Sequence, residues 1–281
     1  MYGIIRIIGL VLLIVPANIF ANCSPKSNSV NFKGKINGDF RLLKKIRVAY
    51  FRNESDCLIG YNGKEVECIP GNDGRFEFNI DSVRQVAKIA QFVIYFENDA
   101  QVLNNYVIAS SDKVNIEFNV SGDTTLSNVR FFGKGSEKYN CRYLIEKKFE
   151  DYNNRLLAFH KPLEESLYNI ENLVREFNIH SDGERQMMNA LYLYKNKMPA
   201  IAFSMMEADI IARVQTLWQL NIRLFYEKMP DKDNKIKVLD FYQMHNQKEK
   251  LYSDEVMALS WNYVDYIYRK INVHLSMIND T

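Results

Sequence analysis

Residues 30–132 carry the alternation of polar and apolar side chains that is typical of β-strands. Short runs rich in β-branched and aromatic residues follow one another, and Gly, Asn and Asp separate them. The runs cover residues 30–36, 46–51, 75–80, 92–96, 114–120 and 129–132. Their spacing and the turn residues between them predict a small antiparallel β-sandwich over residues 30–132.

The period changes after residue 132, where apolar side chains recur at steps of three and four residues. The stripes predict helices over residues 145–159, 163–177 and 200–228, with a shorter one over 186–195. We interpret residues 133–136 as a hinge with Ser136 as helix N-cap, because they lack the spacing of a Walker motif. The chain is therefore predicted to be α+β, an N-terminal antiparallel β-sandwich followed by a C-terminal helical bundle over residues 136–281.

The last predicted helix has its own start signal. Ser253 is placed to cap it, and Asp254 and Glu255 in the first turn favour the positive end of the helix dipole. Its predicted apolar stripe consists of Met257, Trp261, Val264, Tyr268, Ile271 and Leu275. Because Tyr263, Tyr266 and Tyr268 cannot all point inward, we expect an exposed tyrosine surface that contacts a partner or a missing domain.

A tight hairpin is predicted at Asn62-Gly63, a dipeptide that suits a two-residue turn with positive φ at both positions. Counting outward from that turn places Cys57 opposite Cys68. Directly opposed strand residues lie within the Cα separation that a disulfide requires, ~4.4–6.8 Å. We expect a Cys57–Cys68 bridge in an oxidising compartment. The alternative is that both residues are small buried hydrophobic side chains.

The first 22 residues have the three-part pattern of a secretory signal. Arg6 gives a positive start, residues 7–15 are apolar, and residues 16–21 form a helix-breaking exit with small residues. The apolar run is shorter than the roughly 20 residues that cross a bilayer. The sequence therefore predicts export to the bacterial cell envelope without a transmembrane segment, after which residues 23–29 form a polar tether.

Two processing routes fit the end of this signal. Ala21 suits ordinary signal peptidase, whereas Cys23 with its polar tether resembles the start of a lipoprotein. Asn22 and Phe20 depart from the small residue and the leucine that lipoprotein signals usually carry there. If Cys23 is acylated, the protein is lipid-anchored, and otherwise it is periplasmic.

Charge excludes one class of partner. The 281 residues contain 36 basic and 34 acidic side chains, which leaves a net charge of +2. Such a balanced surface gives no field that attracts nucleic acid, so we expect no nucleic-acid partner.

Three short segments resemble a known family. They are Phe-Lys-Gly-Lys-Ile-Asn-Gly at residues 32–38, Gly-Arg-Phe-Glu-Phe at 74–78, and Phe-Gly-Lys-Gly-Ser at 132–136 before a tyrosine-rich helix. In this order after a signal peptide, they resemble the N-terminal half of thioredoxin-like envelope proteins of Bacteroidetes, of the TlpA and ResA type. The resemblance implies a β-sandwich domain and a helical segment ahead of a C-terminal thioredoxin-fold domain.

The chain departs from that family in its cysteines. It has no Cys-x-x-Cys, so no catalytic residue carries over, and dithiol exchange needs an accessible thiolate with a resolving partner. Cys141 is predicted to be a buried, unreactive thiol in a helix. The histidines are far apart in sequence and none has metal-ligand spacing, so we predict no metal and no cofactor: His160, His180, His245 and His274.

These observations predict a non-enzymatic envelope protein, an interaction or scaffold module associated with a thioredoxin-like system. Its expected partner is a thioredoxin-fold protein or another envelope protein. An alternative is the accessory or truncated N-terminal portion of a periplasmic thiol–disulfide oxidoreductase. A third possibility is a peptide- or glycan-binding module, which the 17 Tyr and 17 Phe residues would suit.

Overall fold

The computed structural model describes residues 29–38, 41, 43–51, 63–81, 83, 86–97, 99–122, 124–161, 168–246 and 249–279. The predicted signal segment, Cys23 and Cys57 lie outside these residues. The signal, lipidation and disulfide therefore stay predictions. Within the described residues, the strands precede the helices along the chain, which confirms the predicted order.

The N-terminal part consists of two four-stranded sheets. Its strands, in the described residues, are β1 (Val30–Gly38), β2 (Leu43–Phe51), β3 (Lys64–Cys68), β4 (Arg75–Ile80), β5 (Val86–Phe96), β6 (Ala100–Ala109), β7 (Lys113–Val120) and β8 (Leu126–Lys134). One sheet has the order β4-β1-β7-β8 and the other β3-β2-β5-β6. Strands β6 and β8 are therefore edge strands.

One strand pair corrects the sequence prediction. β1 pairs antiparallel with β4 but parallel with β7, so that Phe32 lies opposite Phe78 on one side and Val114 on the other. The prediction of an antiparallel sheet is wrong for this pair. Alternating burial is the same beside a parallel or an antiparallel neighbour, so the pattern of the sequence cannot set strand direction.

Both sheets contribute side chains to one buried apolar cluster. Phe76 and Phe78 alternate with exposed residues along β4, whereas Ile46 and Val48 alternate with partly buried residues along β2. Full burial of one such side chain stabilises the fold by roughly 1.5–3 kcal/mol. Gly34 belongs to this arrangement, because a Cβ atom there would overlap the ring of Phe76.

The C-terminal part is helical. Its helices, in the described residues, are α1 (Ser136–His160), α2 (Ile170–Tyr192), α3 (Ala200–Lys228), α4 (Lys232–His245), α5 (Asp254–Leu259) and α6 (Trp261–Asn279). The long predicted helix 200–228 is confirmed as α3. None of these helices combines the length and the apolar character needed to cross a bilayer.

The start of α1 differs from the prediction. Gly135, with a φ of 84°, occupies the N-cap position, and Ser136 is already the first helical residue. Gly133 and Lys134 belong to β8, so strand and helix meet directly. A left-handed backbone at Gly135 makes this sharp change of direction possible, and a residue with a side chain would be strained there.

Helix α2 replaces two predicted helices. The segments predicted separately at 163–177 and 186–195 are joined from Ile170 to Tyr192, and the start of the first lies outside the described residues. Gly183 lies in the middle of α2, where a Cβ atom would overlap the ring of Tyr152 on α1. Gly183 therefore allows the two helices to pack closely.

The last predicted helix is divided. Ser253 caps α5 as predicted, its side chain accepting a hydrogen bond from the backbone N–H of Val256. The chain leaves helical geometry at Ser260, and α6 begins at the next residue. Along α6, Tyr263 and Tyr266 are buried, whereas three residues of the predicted apolar stripe, Tyr268, Ile271 and Leu275, are exposed.

Candidate functional site

A buried ion pair fixes α1 onto the strands. Asp112, in the turn between β6 and β7, binds Lys138 of α1 at 2.5 Å and accepts a hydrogen bond from the hydroxyl of Tyr139 at 2.7 Å. Both charged side chains are 2% exposed. Burial lowers the pKa of Lys138, and the carboxylate of Asp112 opposes this effect. These contacts fix the start of α1 against the turn between β6 and β7, and the interpretation of residues 133–136 as a hinge stays a prediction.

A groove with a volume of about 590 Å³ lies along α1 and the first half of β8. We call it the junction groove. It is open along one side and lies between α1 and the two edge strands β6 and β8. Its lining comes from β6, β8, the turn before β8, and α1: Gln101, Tyr106, Thr125, Leu126, Val129, Tyr143, Glu146, Lys147, Phe149, Glu150 and Asn153.

The side chain of Asn140 already occupies the edge of β8 at Phe131. The side-chain amide of Asn140 on α1 donates to the backbone carbonyl of Phe131 at 2.8 Å and accepts from its backbone N–H at 3.1 Å. This pair of hydrogen bonds is the one that a neighbouring strand would make with Phe131. Asn140 thus takes the place of a strand two residues along β8 from Val129, which lines the junction groove.

A bulge lies on β8 next to that point. Glu117 of β7 is opposite Arg130, but Asn119 is opposite Ser127, so one residue of β8 is extra. Asn128 has a φ of 53° and absorbs the extra length. Val129 is buried in consequence and forms part of the apolar floor of the groove. β6, the other border, is a ten-residue edge strand.

Contacts with Arg213 of α3 fix the side chains of α1 that line the groove. Glu146 receives two hydrogen bonds from Arg213, at 2.7 and 3.0 Å, and pairs with Arg142 at 2.7 Å. The guanidinium of Arg213 also lies 3.5 Å from the centre of the Phe149 ring. Burial alone would lower the pKa of Arg142, but the carboxylates of Glu146 and Asp209 outweigh it and raise the pKa. The α1 side of the groove is therefore preorganised.

The side chains that face the groove opening are chemically mixed. Glu150 and Lys147 are exposed charges of opposite sign, Gln101 and Asn153 offer amides, and Tyr143 offers a half-buried ring. Amides and rings beside an apolar floor suit a ligand with regularly spaced polar groups and occasional apolar side chains. Such a site does not select a ligand that carries a single strong charge.

A second polar centre lies inside the helical part. The carboxylate oxygen Oε1 of Glu176 is 3.1 Å from Nε2 of His160 and 3.3 Å from Nε2 of His180. The hydroxyl of Tyr152 is 2.7 Å from Nδ1 of His180. Burial raises the pKa of Glu176, but hydrogen bonds from the two histidines outweigh it and leave the pKa lowered.

Sequence spacing did not reveal this centre, because His160 and Glu176 come from different helices. Only the four-residue step from Glu176 to His180 on α2 was visible in the sequence. In the part of the chain that the structure describes, no three His, Cys, Asp or Glu side chains are arranged to hold a metal ion. The centre acts as a hydrogen-bonded core between α1 and α2.

The cysteine predictions have different outcomes. Cys68 is half-buried on β3, opposite Ile46 of β2, and burial raises the pKa of its thiol to about 11. Its predicted partner lies outside the described residues, so the Cys57–Cys68 bridge stays a prediction. Cys141 is fully buried, as predicted, and burial raises the pKa of its thiol to about 12. A thiol with so high a pKa is a poor nucleophile at neutral pH.

Comparison with known proteins finds no matching family model, no similar curated protein and no similar solved structure.

Proposed function

We propose that this protein is a non-enzymatic binding module of the bacterial cell envelope, and that its junction groove binds an extended polypeptide segment of another protein. We also infer that its two sheets form a β-sandwich, since both contribute to one apolar cluster. The main support for the binding site is the pair of hydrogen bonds between Asn140 and the main chain of Phe131. The side chain of Asn140 already makes the two hydrogen bonds that a neighbouring strand would make with β8.

An extended segment would make further hydrogen bonds of this kind with the main chain of an edge strand. Edge strands present backbone N–H and C=O groups that a further strand can pair with, which is the basis of peptide recognition by strand addition. Both borders of the groove are edge strands, and β6 is the longer and more regular one. Main-chain pairing along β6 would supply affinity, while Tyr143 and the apolar floor would select side chains.

The family resemblance gives the first partner to test. A thioredoxin-fold protein of the envelope could present such a segment, and the module would then place that protein near its substrates. This association rests on the resemblance alone, whereas the polypeptide-binding groove rests on the geometry of β6, β8 and α1. The two parts of the proposal can therefore fail separately.

The test begins with a peptide probe. A library of random 12-residue peptides is displayed on phage and selected against the exported chain, and the best peptide is synthesised with a fluorophore. Its Kd is measured by anisotropy for the wild type, for Tyr143→Ala and Asn153→Ala in the groove, and for Tyr192→Ala. Tyr192 is 48% exposed on α2 and does not line the groove, so it serves as the control.

We expect each groove variant to weaken binding by roughly 5- to 30-fold, which corresponds to about 1–2 kcal/mol, and the control to leave it within twofold. Hydrogen exchange should also slow in the backbone of β6 when the peptide binds. Equal losses in all three variants, or no protection of β6, would contradict the proposal. Failure to select any peptide, together with saturable glycan binding that Tyr143→Ala abolishes, would favour a glycan-binding module instead.

A further inference from the structure

Helix α6 is apolar on two opposite faces. Its inner face is buried against the bundle through Tyr263, Tyr266, Val273 and Met277. Its outer face carries Tyr268, Ile271 and Leu275, whose exposed fractions are 65%, 47% and 51%. A surface helix normally has one apolar stripe, and a second stripe indicates a second packing partner.

The outer stripe has the spacing of a helix-pairing seam. Val264, Tyr268, Ile271 and Leu275 follow one another at steps of four, three and four residues. This is the seven-residue repeat by which two helices pack side by side along a common seam. The side chains of the stripe therefore face one direction over the described length of the helix.

The neighbouring helix extends the same surface. Leu220 on α3 is 45% exposed, and together with Tyr268 it borders a shallow groove of about 240 Å³ between α3 and α6. A groove between two helices beside an apolar stripe can accept the ridge of another helix. We call the stripe and this groove the α6 outer surface.

The charges around the α6 outer surface cancel. Asp265 pairs with Arg269 at 2.7 Å on α6, and Arg223 pairs with Glu227 at 2.7 Å on α3. The charges of these four side chains sum to zero, so they give no attraction to a strongly acidic or basic partner. The α6 outer surface does match itself, because a two-fold axis brings the same patch against its copy and lets opposite charges exchange partners across the interface.

We propose that the α6 outer surface is a self-association interface, and that a second copy of this chain packs its own α6 against it. The 19 residues of α6 span about 28 Å, so the contact between two such helices is small by the standards of stable dimers. The dimer is therefore reversible and depends on concentration. It places two junction grooves on one assembly.

Sedimentation equilibrium of the exported chain over a range of about 1–200 µM tests the interface. The test variants are Ile271→Glu and Leu275→Glu, each of which puts a charge into the seam. Leu157→Glu and Leu193→Glu are the controls, because these leucines are 60% and 67% exposed on other surfaces of the helical part. Far-ultraviolet circular dichroism confirms that every variant is folded.

We expect the wild type and both controls to approach twice the monomer mass, and both test variants to shift the midpoint to at least tenfold higher concentration. A wild type that stays monomeric throughout would overturn the proposal, as would controls that weaken association as much as the test variants do.

A second measurement needs no variant. Hydroxyl-radical footprinting of the wild type at the lowest and the highest concentration should show protection of Tyr268, while Tyr192, 48% exposed on α2, keeps its reactivity. A dimer in which Tyr268 remains fully reactive would use another surface and would refute this one.

Discussion

The strand part and the helical part are held together by different kinds of core. The buried cluster to which both sheets contribute is made of apolar and aromatic side chains, such as the stacked rings of Phe32 and Phe78, whose centres are 5.1 Å apart. The helical part buries charged and polar side chains among the apolar ones: Arg142, Glu176, His180, Glu207, Asp209 and Lys270. Shape and area stabilise the first core, whereas the second also depends on charge pairing.

The difference has a practical consequence. An apolar core loses stability when volume is removed, and it responds little to pH. A core with paired charges loses stability when one partner is removed or titrated, because the remaining charge is left buried. Substitutions at paired charges and at a close helix contact of the second core test this contrast.

Removing the guanidinium of Arg142 should have the largest effect. Arg142 is fully buried and pairs with Asp209 at 3.0 Å, so Arg142→Ala leaves a buried carboxylate without its cation. We expect a loss of about 3–5 kcal/mol in the free energy of unfolding, measured by urea denaturation. Arg155→Ala is the control, because its pair with Asp182 is partly exposed, and it should cost at most about 1 kcal/mol. Similar losses in the two variants would break the comparison.

The buried carboxylate of Glu176 should make the free energy of unfolding decrease at acidic pH. Its lowered pKa means that the stability it contributes is complete above the ordinary value of 4.5 and is lost as the pH falls through the lowered pKa. Glu176→Gln should cost about 1.5–3 kcal/mol at pH 7, because hydrogen bonds to a charged group are lost. The variant should also lose less stability than the wild type between pH 6 and pH 3. An unchanged pH profile would contradict this role.

The close contact between α1 and α2 predicts a steric effect. Gly183→Ala places a methyl group against the ring of Tyr152, and we expect a loss of about 1–3 kcal/mol in urea denaturation. Gly122→Ala is the matched control, since nothing lies within 4 Å of its Cβ position. If both substitutions were equally mild, the helices would have to be farther apart than the structure places them.

The smallest expected effect is a gain in stability, on substitution of Glu184. Burial raises the pKa of Glu184, despite a hydrogen bond from Gln215 at 2.7 Å, so ionising this carboxyl opposes folding at neutral pH. A raised pKa of this kind removes stability as the pH rises past the ordinary value. Glu184→Gln should therefore stabilise the protein at pH 7 by less than about 1 kcal/mol and have no benefit at pH 4. Destabilisation at pH 7 would show that the charge is needed.

Local patterns in the sequence predicted much of the fold. Apolar periodicity placed α3 from Ala200 to Lys228, and alternation placed β4 from Arg75 to Ile80. β6 was missed, because Asn104 and Asn105 interrupt it with residues that are rare in strands. The buried face of α6 was also missed, because this helix carries apolar side chains on two faces and the spacing does not show which of them packs on the bundle.

The junction groove could not be predicted in the same way. Its borders, β6 and β8, belong to different sheets, and only the packing of α1 across both brings Tyr143 beside Val129. The contact between Asn140 and Phe131 joins a helix to a strand edge, and no spacing rule anticipates it. Sites made of side chains from distant elements depend on topology, which periodicity does not contain.

The parallel pairing of β1 with β7 also sets an order of events during folding. β1 is an inner strand of its sheet, yet both of its neighbours follow it in the chain, and Phe32 meets Val114 only after all the intervening strands have been made. Pairings of such long sequence separation close slowly, whereas helices form from local contacts. A chain that emerges from a membrane channel with its N-terminus first would hold β1 unpaired for most of its passage. We therefore expect the strand part to mature more slowly than the helical part and to be the part that chaperones must protect while the chain is incomplete.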